Sequence, residues 1–106
     1  MKGYEKSDRK FMEDFITFDT LCKIRQKGYK CNNARFEGHI YDVLKWLRES
    51  KGIHICISCS IAPFANWEYE IVEINGVVFV NADDGYNTYE EAAINGIEDV
   101  LNNILK

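Results

Sequence analysis

Ile74-Asn75-Gly76-Val77 constrains this chain more than any other stretch. Asn and Gly both tolerate positive φ, so the pair favours a two-residue type I′ turn between antiparallel strands. Apolar runs lie on both sides of it. Ile53 to Ala82 therefore reads as three antiparallel strands, closed on one face by a helix from Tyr89 to Leu105.

The first strand alternates strictly. Ile53, Ile55, Ile57, Cys59 and Ile61 face one way, and His54, Cys56, Ser58 and Ser60 the other. Ala62 to Asn66, with Pro63, reads as a loop. Strand two puts Trp67, Tyr69 and Ile71 on the core face. In the plain Asn-Gly register Val78, Val80 and Ala82 join them. The other face then gathers Val72, Ile74, Val77 and Phe79 near the turn, with Glu68 and Glu70 beyond. Such a patch is either covered from within or is an interaction surface, and cover by the first 27 residues is the expectation.

The closing helix carries a capping box, Thr88 with Glu91, and a stripe of Ala93, Ile97, Val100 and Ile104 beside Leu101. Gly96 in its middle costs about 1 kcal/mol relative to Ala, so it predicts a close approach to the sheet. Upstream, Ile40, Val43, Leu44 and Leu47 mark a helix from His39 to about Ser50, ended by Gly52, with His39 as a solvated first-turn residue and Trp46 off the stripe. Before it, Phe11, Phe15, Phe18 and Cys22 fall at helical spacing. A shorter helix capped by Thr17, running from Phe18 to Lys27 with Phe11 to Ile16 extended ahead of it, fits equally well; Gly28 ends either version. Tyr29 to Gly38 is a polar connection with a short strand or turn around Arg35-Phe36.

The order α-α-β-β-β-α gives an α+β fold, a three-stranded antiparallel meander with helices on one face. Residues 1–10 are polar and read as a flexible N-terminus, and 11–106 as a single domain. Met1 to Lys10 has no apolar core of a signal peptide, and no apolar run reaches the roughly 18 residues of a membrane span. A cytoplasmic protein with no membrane association is expected.

Charge is uneven. Residues 1–60 hold 12 Lys and Arg against 8 Asp and Glu; residues 61–106 hold 1 against 9, so the halves carry +4 and −8 within a net −4. The acidic half disfavours nucleic acid there and suits a basic partner. Five cations in the other half, Lys23, Arg25, Lys27, Lys30 and Arg35, with Tyr29 and Phe36 to stack, form the alternative: a nucleic-acid surface.

Four cysteines, Cys22, Cys31, Cys56 and Cys59, invite a zinc reading. Cys56 and Cys59 would occupy opposite strand faces, so free thiols are expected and no metal or cofactor. His54 and Cys56 share a face, but residues two apart on a strand lie about 6.5–7 Å apart, too far for direct activation of a thiol without bent side chains. Asn81 to Asn87 lacks the ligand spacing of a calcium loop and reads as a strand-to-helix turn built on Asp84-Gly85. No catalytic residues are assigned, and no enzyme activity is expected.

From Ile40 to Leu105 the order of elements resembles the double-stranded-RNA-binding domain, including the Ala92-Ala93 start of the last helix. That family holds phosphates with lysines where this chain has Thr88-Tyr89-Glu90-Glu91, and carboxylates there repel phosphate. A second resemblance rests on Thr17-Phe18-Asp19-Thr20, Lys27-Gly28-Tyr29, Lys45-Trp46-Leu47-Arg48-Glu49, Gly52-Ile53-His54-Ile55, Tyr69-Glu70-Ile71 and Thr88-Tyr89-Glu90-Glu91-Ala92. It is to a group of small uncharacterised proteins of gut Bacteroidetes and their phages, and it implies a phage or mobile-element context. Together these readings give a non-enzymatic module. It would bind a protein partner, or a second copy as a homodimer, through Glu68, Glu70, Val72, Ile74, Val77 and Phe79.

Overall fold

The computed structural model describes residues 14–60, 66–75 and 78–105. Helix α1 spans Phe18–Gln26, a 3-10 turn Ala34–Phe36, and helix α2 Ile40–Lys51. Strands β1 (Ile53–Ser60), β2 (Asn66–Glu73) and β3 (Val78–Tyr86) follow, then helix α3 (Tyr89–Asp99), which widens into a π-turn over Val100–Ile104. The sheet order is β1-β2-β3, antiparallel throughout. The α+β fold and its order of helices and strands are those the sequence predicts.

Local chemistry explains each boundary. Thr17 is extended and its hydroxyl accepts the Thr20 N–H at 3.2 Å, so the shorter version of α1 forms. Phe15 instead bridges His39, and Ile16 N donates to Gly38 O at 2.8 Å. The Phe11–Cys22 stripe is therefore helical only from Phe18 on, and it is not the buried face: Phe18 is 72% exposed, and Thr20 and Ile24 face inward. Phe11 lies outside the described residues. His39 is the N-cap of α2 rather than a first-turn residue; its Nδ1 accepts the Tyr41 N–H at 3.2 Å. Gly52 ends α2 at φ 67°, a left-handed conformation that glycine adopts without steric cost. Thr88 caps α3 by accepting the Glu91 N–H at 3.0 Å.

Helix α3 lies across all three strands, and α2 packs on β1 and α3. Ile40, Val43, Leu44 and Leu47 of α2 meet Ile53, Ile55, Tyr69 and Ile71 of the sheet and Ala93, Ile97, Val100 and Leu101 of α3. Gly96 supplies the predicted close approach. A Cβ there would stand 2.9 Å from Ile55 Cγ2 and 3.2 Å from Tyr69 Cγ. Helix α1 joins the same layer through Ile24 and through Thr20, whose hydroxyl donates to Glu98 Oε2 at 3.4 Å.

Strand β3 departs from the simple register. Glu73↔Val78 and Val72↔Phe79 have the offset expected across a two-residue turn; Gly76 and Val77, and with them the type of the turn, lie outside the described residues. Between Ile71 and Val72 the register then shifts, and Ile71 pairs with Asn81 and Tyr69 with Asp83. The bulge turns Asn81 and Asp83 to the helix side. Val80 (39% exposed) and Ala82 are exposed and not part of the core, contrary to the alternation. The strand also runs on to Tyr86, so Asp83-Asp84-Gly85 lie within it rather than in a turn, with a second shift beside Glu68 and Gly85 at φ 95°.

Candidate functional site: the open face of the sheet

Because α1, α2 and α3 share one side, the other side of the sheet has no covering element among the described residues. The expected cover by residues 1–27 is not made by 14–27, which pack with the helices; residues 1–13 lie outside the described residues. Three rows cross the open face. His54, Val72 and Phe79 form the first, Cys56, Glu70 and Ala82 the second, and Ser58, Glu68 and Asp84 the third. The first row is apolar at Val72 and Phe79 and continues to Ile74; the third is acidic.

Exposure grades along the face. Phe79 is 59% and Ile74 41% exposed, and Val72 is half-buried. Glu70 is exposed and Glu68 half-buried. Val77, the remaining residue assigned to this patch, lies outside the described residues. Cys56 sits beside Glu70; burial first and the Glu70 carboxylate second push its thiol above the ordinary range, which suits an inert side chain. His54 Nδ1 is buried without a hydrogen-bond partner among the described residues. The four cysteines are free thiols, and no group of His, Cys, Asp or Glu among the described residues is arranged to hold a metal.

The basic alternative is assembled differently from the sequence reading. Lys23 and Arg25 lie on α1, Lys27 caps it, and Lys30 and Arg35 follow on the connection. Arg25 is engaged by Glu37 through Nη2–Oε1 at 2.9 Å and Nε–Oε2 at 3.2 Å. Tyr29 cannot stack on a base, because it is 2% exposed. Its hydroxyl donates to Asp42 Oδ2 at 2.6 Å and accepts the Gly38 N–H at 3.0 Å, and its ring meets Trp46 edge-on at 5.4 Å. Phe36 remains exposed. Lys30 and Lys45 line a cleft of about 280 Å³ with Trp46, but Asp42 and Glu49 line it too, so its charge is mixed.

One cluster escaped the sequence reading. Asp99 Oδ2 accepts from Tyr69 Oη and from Asn81 Nδ2, both at 2.7 Å, and Asp99 Oδ1 accepts from Asn103 Nδ2 at 2.6 Å. Tyr86 stacks on Tyr69 and donates to Asp83 Oδ2 at 2.8 Å. This network pins β3 to the end of α3. The apolar run Val77-Val78-Phe79-Val80 fits either face of the strand, so it does not mark where the bulge falls.

No helix among the described residues is long and apolar enough to cross a membrane. Compared with known proteins, the chain matches no family model, no curated protein and no solved structure.

Proposed function

We propose that this domain is a non-enzymatic protein-interaction module that docks a partner on the open sheet face. The observation that carries the reading is that Phe79 and Ile74, with half-buried Val72 between them, are left exposed beside Glu68 and Glu70 while every described helix packs on the other side. Contiguous apolar surface rimmed by charge marks binding sites more often than it marks inert surface. The chemistry selects the partner: apolar side chains for Phe79 and Ile74, flanked by Lys or Arg for Glu68, Glu70 and Asp84. The −8 charge of residues 61–106 would steer such a basic partner toward this side. The sequence resemblance to small proteins of gut Bacteroidetes and their phages supports a phage or mobile-element setting.

The test compares three chains recovered from the host's lysate at near-physiological salt: wild type, Glu68→Lys/Glu70→Lys, and Phe79→Ser. A stoichiometric protein band with the wild type, lost with both variants at unchanged melting temperature, is the expected result. A band that both variants keep removes the open face. Recovered nucleic acid that nuclease digests away would instead make Lys23, Lys27, Lys30 and Arg35 the working surface.

A further inference from the structure

Among the described residues strand β1 is an edge of the sheet, and its own sequence does not guard it. Its eight residues, Ile53–Ser60, contain no charged side chain and no proline. Its register with β2 is unbroken from end to end. Natural edge strands are protected by charges, prolines, bulges or shortness, because their free N–H and C=O groups template pairing with another strand. The opposite edge has such protection. Strand β3 carries Asp83 and Asp84 and two register shifts.

The unsatisfied groups of β1 can be assigned. Ile74 N donates to Gly52 O at 2.7 Å, and the register places Gly52 opposite Ile74. Hydrogen-bonded pairs alternate along an antiparallel ladder, so His54, Cys56, Ser58 and Ser60 turn their backbone groups toward β2. Ile53, Ile55, Ile57 and Cys59 turn theirs outward. Those outward groups have no partner among the described residues.

We infer that the β1 edge is the interface of a homodimer, in which two copies pair β1 with β1 antiparallel into one continuous six-stranded sheet. The occupant is a second copy because the strand complements itself. A two-fold axis between the two Cys56 residues sets Ile55 against the partner's Ile57, and Ile53 against the partner's Cys59, on the helix side. On the open side it sets His54 against the partner's Ser58. Under this axis every outward N–H and C=O of Ile53, Ile55, Ile57 and Cys59 finds its counterpart, so the contact is isologous and closes on itself. Half-buried Ile57 and Cys59 would lose their remaining exposure. Within the paired strands no charge meets a like charge. Glu70 and the partner's Glu70 would stand about three strand spacings apart, roughly 14 Å, beyond the Debye length of about 8 Å at physiological salt. This surface is distinct from the open face and does not depend on its proposed role.

Sedimentation equilibrium over a concentration series, with amide hydrogen exchange on the same samples, tests the inference. The expected mass is twice the 12.3 kDa of the chain. The amides of Ile55 and Ile57 should be protected in the dimer and lose that protection on dilution. Ile57→Pro, which removes an outward N–H and leaves the β1–β2 bonds intact, should return the chain to a monomer whose circular dichroism matches wild type. The wild-type exchange pattern decides the matter even if that variant fails to fold. A mass of 12.3 kDa across the series overturns the inference. So does a dimer in which the Ile55 and Ile57 amides exchange as freely as solvent-exposed ones.

Discussion

Gly96 shows how much one missing methyl group can hold. Ala at a helix interior is better than Gly by about 1 kcal/mol, which alone would make Gly96→Ala stabilising. The structure reverses the sign. The new Cβ would stand 2.9 Å from Ile55 Cγ2 and 3.2 and 3.3 Å from Tyr69 Cγ and Cδ1. Neither neighbour yields easily: Ile55 is β-branched in a strand, and the Tyr69 ring is anchored by its bond to Asp99. Overpacking of this kind costs about 1–3 kcal/mol, so Gly96→Ala should be net destabilising in a urea titration. A variant as stable as wild type would mean that α3 can lift from the sheet without loss.

At the level of elements, helix α3 starts where its sequence says it must. Thr88→Ala removes the acceptor for the Glu91 N–H and should cost about 1 kcal/mol, read as a lower unfolding midpoint with an unchanged slope. That cap, the Asn75-Gly76 offset, the α2 stripe and the Gly96 contact were legible because each depends on neighbours within a turn or two. The β3 bulge was not. Whether Val80 or Asn81 faces the helices depends on Asp99, 18 residues further on, holding Asn81 and Tyr69 together. The α1 stripe left two versions of the helix open for a related reason. Phe15 and Ile16 are captured by His39 and Gly38, a tertiary pairing that outweighs helical spacing. The open face was legible as a patch, but not as one that residues 14–27 leave uncovered, because that is decided by where α1 packs.

For the whole molecule, the buried phenols set an alkaline limit on stability. Burial, then the bond to Asp83, pushes Tyr86 up to about 12. Burial followed by Asp99 raises Tyr69 further, and burial followed by Asp42 raises Tyr29. In the unfolded chain a phenol gives up its proton near pH 10. Between that pH and the folded value the unfolded state binds fewer protons than the folded state, so stability falls as pH rises. The contribution is complete below about pH 10 and is lost on the way to about pH 12 for Tyr86. Each phenol adds a slope of at most about 1.4 kcal/mol per pH unit, and Tyr86, half-buried, adds less because solvent screens it. Urea midpoints should therefore stay level up to about pH 8, decline gently above about pH 8.5 as the Cys56 thiol ionises in the unfolded chain but is held protonated by burial in the fold, and drop steeply only above about pH 10. Tyr69→Phe removes the largest of these shifts, so its curve should drop less steeply than wild type even though it starts lower for want of the Asp99 bond. Parallel curves for the two chains would mean that Tyr69 titrates like a free phenol and that the network joining β3 to the end of α3 is open in solution.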